Sequence, residues 1–199
     1  MKLILATNNK NKLREIREML EDTEISVVSQ REAGYDADAE ETGATFAENA
    51  AIKVECIRQL ALEKGEQCFV LADDSGLSVD ALNGEPGVRS ARWAGENASD
   101  ADLIEKLLRE MQNVPDDRRG AHFACVMCLI APDGVQHFFA GKVEGVILRE
   151  CRGANGFGYD PVFGYQGRSF AEIPANEKNM VSHRHHALVQ VTDWLKQNM

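Results

Sequence analysis

Phe69-Val70-Leu71-Ala72-Asp73-Asp74-Ser75-Gly76 is a run of four apolar residues followed by two acids and a Ser-Gly pair. The apolar part has the form of a buried strand, and the Ser-Gly pair that of a turn at its end. In an α/β sheet the carboxyl ends of such strands face the ligand crevice. Two adjacent carboxylates there are costly unless compensated, and a divalent metal is the usual compensation. Successive side chains on a strand point to opposite faces, so Asp73 and Asp74 are not expected to share one role. The one that reaches the crevice would ligate metal or act as general base on an attacking water, and the other would bond to amides of the turn. With separate basic elements elsewhere to hold phosphates, the pattern points to metal-assisted phosphate chemistry.

Outward from this stretch, strands and helices alternate. Upstream lie a strand at Lys2–Ala6, a helix from Asn9 to Glu21 with Leu13, Ile16, Met19 and Leu20 at helical spacing, and a strand at Ile25–Ser29. Residues 30–43 read as an acid-rich loop. Thr45-Phe46-Ala47-Glu48 has the form of a capping box and starts a helix running to about Lys64. Strands are expected at Cys68–Ala72 and, separately, at Leu77–Leu82. An ordered loop over 83–98 precedes a helix capped by Ser99 and running to about Gln112. Pro132-Asp133-Gly134 signals a hairpin between strands Ala121–Ala131 and Gln136–Gly141, with a further strand at Val143–Arg149. The last helix starts near Ser182. This order favours an α/β fold with a mixed central β-sheet flanked by helices.

A chain of 199 residues with 44% hydrophobic content suits one globular domain spanning 1–199, built as two lobes. The formal charge of −10 argues against an unspecific grip on nucleic acid or anionic membrane. No apolar run approaches the roughly 20 residues that span a bilayer. The N-terminus lacks the apolar core of a signal peptide, and five cysteines form an odd set that suits reduced thiols, so a cytoplasmic location is expected. Cys125 and Cys128 make a Cys-x-x-Cys match inside a strand, where the two thiols should face opposite ways.

Four further segments carry candidate chemistry. Thr7-Asn8-Asn9-Lys10-Asn11-Lys12 joins the first strand to the first helix, a geometry that offers backbone N–H groups and a dipole end to an anion, or simply a polar helix start. It lacks the glycines of a Walker A loop. Lys53 falls on the face defined by Phe46, Ala50, Ile57 and Ala61, so it either snorkels outward or reaches into a cleft. Glu40-Glu41 form a second acidic pair that could join a magnesium site, since Mg²⁺ often needs only one or two carboxylates plus substrate phosphates. Gly156-Phe157-Gly158-Tyr159-Asp160-Pro161 leaves space for a flat ring against Phe157, or anchors a tight loop. Lys178, His183 and Arg184 lie around the start of the last helix, where cations are misplaced unless a ligand answers them. The run His183-Arg184-His185-His186 offers no i, i+4 histidine pair for a transition metal.

Taken together, Thr7 to Lys12, Glu40-Glu41-Thr42-Gly43, Glu48-Asn49-Ala50, Lys53, Ala72 to Leu77, Pro86-Gly87, Gly156 to Pro161, Glu177-Lys178 and Ser182-His183-Arg184 resemble the inosine triphosphate pyrophosphatase family, in order and over nearly the whole chain. The resemblance implies hydrolysis of deaminated purine nucleoside triphosphates (ITP, dITP, XTP) to monophosphate and pyrophosphate with Mg²⁺. It also implies an elongated two-lobed α/β fold with a central cleft, and a homodimer. It places Asp74 as general base and metal ligand, with Glu41 or Glu40 helping. Asn9, Lys12 and Lys53 would hold the phosphates, and Thr7, Asn8, Lys10, Asn11 and Ser75 would also bind substrate. Phe157 would stack on the base, with Asp160, Lys178, His183 and Arg184 completing the nucleoside pocket, and Gly158 and Tyr159 would also bind substrate. The family's first loop commonly reads Thr-Gly-Asn; here Asn8 replaces the glycine, and asparagine tolerates left-handed backbone.

Donors placed for a 6-oxo group would be left unpaired against adenine, which is a strong basis for rejection. A nucleotide sensor without turnover, and a pyrophosphatase of pyrimidine or methylated triphosphates, are the competing readings.

Overall fold

The computed structural model describes residues 2–198. The elements run β1 (Lys2–Leu5), α1 (Lys10–Met19), β2 (Ser26–Ser29), α2 (Phe46–Glu63), β3 (Phe69–Val79), α3 (Asp100–Glu110), β4 (Gly120–Ile130), β5 (Gln136–Ile147), β6 (Phe163–Tyr165), β7 (Arg168–Ser169), α4 (Ala175–Val181) and α5 (His183–Asn198). The strands form one sheet in the order β2-β1-β3-β4-β5-β6-β7. β1 pairs parallel with β2 and β3, whereas β5–β6 and β6–β7 are antiparallel, so the sheet is mixed as expected.

The chain divides into two compact units. The first comprises the stretches up to Asp74, Cys125–Gly141, and from His185 onward. Its core lies on both faces of the sheet, because alternate strand residues point opposite ways. Leu3, Leu5, Leu71, Met127 and Leu129 pack with Ile16 of α1 and with Leu188 and Val191 of α5. Ile4, Ala6, Val70, Ala72 and Ile130 pack with Ala50, Val54 and Ile57 of α2. Cys125 belongs to the first cluster and Cys128 to the second, so the two thiols face apart. Thr45 caps α2 in the expected box with Glu48.

The second unit, Ser75–Ala124 and Lys142–Arg184, has a core of Leu77, Phe123, Phe163 and Phe170 with Leu103 and Leu107 of α3. Ser99 caps α3, with Asp102 closing the box. Arg119 is 4% exposed. It donates to the carbonyls of Met111 (2.7 Å), Val114 (3.2 Å), Ile147 (2.7 Å) and Leu148 (3.0 Å), satisfying backbone at the end of α3 and of β5.

Two strand boundaries differ from the sequence reading. The two expected strands at 68–72 and 77–82 are replaced by one, β3 (Phe69–Val79), followed by a 3-10 turn at Asp80–Leu82, so the acids sit mid-strand and no Ser-Gly turn exists. Gly76 is a packing glycine: a Cβ there would strike the Ser90 hydroxyl and lie 2.5 Å from the Gly87 carbonyl oxygen. That close approach lets Ser90 Oγ accept from Leu77 N at 2.9 Å. Likewise 136–141 and 143–149 merge into β5, which ends at Ile147.

Candidate active site

Alternation along β3 decides which way each acid points. Leu71 faces α1 and α5, whereas Val70 and Ala72 face α2. Asp73 therefore falls on the α1 side and Asp74 on the α2 side. The contacts agree. Asp73, 1% exposed, pairs through Oδ1 with Lys12 from the first turn of α1, and Oδ2 accepts from Cys125 Sγ at 3.0 Å. The expectation that this acid holds turn amides is thus corrected: with no turn present, its carboxylate answers a lysine. Asp74 takes Lys53 Nζ on Oδ1 at 2.8 Å and Asn49 Nδ2 on Oδ2 at 3.3 Å. Asn49 and Lys53 stand four residues apart on α2 and so share a face.

Lys53 turns inward; its side chain is 13% exposed. Besides Asp74, its ammonium donates to Glu41 Oε1 (3.2 Å) and to the main-chain oxygen of Asp73 (3.0 Å). Lys12 Nζ reaches the same carbonyl at 3.4 Å. Gly43 N donates to Asn49 Oδ1 at 2.8 Å and ties the acidic loop to this cluster. Glu41 is therefore the acid of its pair that stands beside Lys53, while Glu40 is exposed. Burial pushes the Asp74 carboxyl above its ordinary value, with Lys53 and Lys12 pulling against it and Glu41 adding to it. Burial also opposes the charge on Lys53, but Asp74 and Glu41 outweigh it and hold the ammonium above its ordinary value. A buried carboxyl shifted upward beside a specific cation is a pattern of functional sites.

The first loop is organised by its asparagines. Asn9 caps α1, with Oδ1 accepting from Asn11 N (2.9 Å) and Lys12 N (3.1 Å), and its own N–H donates to Thr7 Oγ1 at 3.1 Å. This fixes Lys12 in the first turn. Asn8 donates to Ala37 O (3.3 Å) and Asp38 Oδ1 (3.2 Å) and accepts from Gln30 Nε2 at 3.3 Å. Among the described residues, left-handed backbone outside glycine occurs at Asn83 and Gln166, so Asn8 replaces the family's glycine without needing that conformation. Lys10 is exposed and Asn11 half-buried on the same turn.

A second group lies in the second unit. Two cations lie near the Phe157 ring, with Lys178 Nζ 5.2 Å and Arg184 Cζ 6.0 Å from its centroid. Lys178, 4% exposed, donates to Asp160 Oδ2 at 2.6 Å, and Phe157 N donates to the same oxygen at 3.0 Å. Gly156, at φ +76°, has no room for a Cβ against the Asp160 carboxylate, so the loop is closed around that acid. Gly158 N donates to Asp100 Oδ2 at 2.7 Å. Tyr159 is buried, its hydroxyl donating to Ser90 O at 3.0 Å. Arg184, 2% exposed, donates to Ser75 Oγ at 3.1 Å, and His183 stacks on Phe123 with centroids 4.9 Å apart.

The sequence reading assigned no role to Asn49, Cys125 or Asp100. Asn49 was detectable as an amide one turn before Lys53 on the inward face of α2. Cys125 required the register between β3 and β4, which no local pattern carries.

Two lysines set against two carboxylates suit a polyanion, and an aromatic ring with two cations nearby suits a flat heterocycle; the class is an α/β protein equipped for nucleotides. The chain belongs to the Ham1 family, whose model matches residues 3–194. It is 49% identical over 199 residues to a dITP/XTP pyrophosphatase of Clostridium perfringens, covering 98% of this chain and 97% of that one. Among solved structures, the Staphylococcus aureus Ham1 protein matches with TM-score 0.86 and 39% identity, all of both chains being covered. A HAM1 protein from Coxiella burnetii matches with TM-score 0.86 and 43% identity over 99% of each chain. The resemblance read from the motifs is thereby borne out.

Proposed function

We propose that this protein hydrolyses deaminated purine nucleoside triphosphates, ITP, dITP and XTP, to the monophosphate and pyrophosphate. The observation that carries the reading is the convergence of Asp74, Glu41, Lys53 and Lys12 about one mid-strand position of β3, in a chain whose relatives are named dITP/XTP pyrophosphatases. Lys12 and Lys53 hold the phosphates, with Asn9 and the first turn of α1 alongside. Asp74 accepts the proton of a water whose oxygen attacks the α-phosphorus; the α–β anhydride bond breaks and pyrophosphate leaves. Its upward-shifted carboxyl is suited to that duty.

The donor set fits Mg²⁺. Among the described residues no three His, Cys, Asp or Glu side chains gather as a metal set, but Asp74 and Glu41 share one ammonium and offer hard oxygens. One or two carboxylates plus substrate phosphates and water suffice for Mg²⁺. Asp74 and Glu41, rather than Glu40, would hold it, and it would offset phosphate charge as the leaving group departs. Phe157 stacks on the base; Lys178, Arg184 and His183 supply donors to its edge, while Asp160 and Tyr159 order the loop that carries it.

We also infer a single functional domain over 1–199, a homodimer and a cytoplasmic location. The dimer rests on the family resemblance, and sedimentation at the monomer mass in analytical ultracentrifugation would refute it. Among the described residues no helix is long and apolar enough to cross a membrane.

The deciding experiment is a panel of triphosphates with Mg²⁺, products separated by chromatography. Pyrophosphate from ITP and XTP, at rates at least about 100-fold above ATP, is expected of a site that hydrogen-bonds the 6-oxo group. Orthophosphate alone, equal rates on ATP, preference for pyrimidine or methylated bases, or binding without turnover would each overturn the reading.

A further inference from the structure

Asp73 is held from two sides. Its Oδ1 pairs with Lys12, and its Oδ2 accepts from the Cys125 thiol across the strand boundary between β3 and β4 at 3.0 Å. Cys125 is fully buried among Met127, Leu71 and the α1 side of the sheet. The terminal torsion of an aspartate is broad, so the plane of its carboxylate takes its direction from its partners. A carboxylate that turned freely would let the Lys12 ammonium wander along its long stem. A thiol suits this apolar spot, being a small hydrophobe with a weak S–H donor.

We propose that Cys125 is a positioning residue for substrate binding: its thiol fixes the Asp73 carboxylate, and through it places the Lys12 ammonium for the triphosphate. The inference rests on the reading of Lys12 as a phosphate-holding residue. It assigns Cys125 no chemical step and leaves the proton transfer to Asp74.

The test is a kinetic double-mutant cycle with ITP and Mg²⁺, using Cys125→Ala, Lys12→Met and the pair, with Cys125→Ser as the conservative rescue. Cys125→Ala should raise KM about fivefold with kcat within about twofold, while Cys125→Ser stays within about twofold of the parent in both. In the Lys12→Met background, Cys125→Ala should change KM by less than about twofold, because the residue it acts through is gone. If Lys12→Met raises KM but Cys125→Ala does not, or raises it equally in both backgrounds, the inference falls and the phosphate reading stands. If Lys12→Met leaves KM unchanged, the phosphate reading falls and the inference with it. Should the alanine variant not fold, the S–H stretching band lost in Cys125→Ser reads the same bond in the parent protein. A band lowered by hydrogen bonding is expected, and one at the free-thiol position overturns the proposal.

Discussion

Replacing Lys53 by methionine removes one half of a buried pair and keeps the apolar stem. The ammonium serves Asp74 Oδ1, Glu41 Oε1 and the Asp73 carbonyl, and both charged side chains of the closest pair are nearly out of water, at 13% and 7% exposed. Breaking a buried pair from one side costs about 3–5 kcal/mol, because a charge is left without its partner. The lower end applies here, since Asn49 still donates to Asp74 and Glu41 keeps 28% of its side chain in solvent. About 3 kcal/mol in a chain of this length lowers the melting temperature by about 6–12 °C. Adding Asp74→Asn should restore most of the loss, because a neutral amide tolerates the methionine. Urea unfolding of the parent, both single variants and the double variant gives the coupling, expected at about 2 kcal/mol or more. A single-variant loss below about 1 kcal/mol, or strictly additive losses, would refute the claim that the pair is buried and mutually dependent.

Asp74→Asn should lower kcat by about 10²–10⁴-fold while calorimetry still detects ITP binding, as removal of a general base demands; retained turnover would rule out the assignment. Phe157→Ala should weaken binding by about 1–3 kcal/mol for inosine and xanthosine nucleotides alike, since stacking is tolerant of base identity; an unchanged affinity in a binding titration would exclude a stacking role. Glu32 is held at about 2 by the Ser29 N–H, with Arg17 and the Ser29 hydroxyl adding to it, below its ordinary value of 4.5. A carboxyl depressed on folding stabilises above its unfolded pKa, and that stability fades as pH falls from about 4.5 toward 2. Thermal melts across this window should show a shallower acid dependence in Glu32→Gln than in the parent, and parallel curves would contradict the shift.

Periodicity carried much of this site. The 3.6-residue repeat of α2 sets Lys53 on an apolar face, and period-two alternation splits Asp73 from Asp74 and Cys125 from Cys128. Glycine was the weak point. Gly76 has the local look of a turn, yet its missing side chain answers contact with Ser90 and Gly87, which are distant in sequence. The same long-range cause hid the partner of Asp73: once β3 runs straight through, that carboxylate meets α1 and β4 instead of turn amides. Glu41 could not be told from Glu40 by motif, because the choice depends on Gly43 being tied back to Asn49.

The main-chain oxygen of Asp73 receives both Lys12 and Lys53, and an oxygen of the peptide cannot be exchanged by any codon change. Drift at position 73 would detach the side-chain anchor of Lys12 yet leave both cations a common tether. The strand's path therefore supplies one point that both positive charges share, while the placement of the Lys12 ammonium about that point is left to the Asp73 carboxylate.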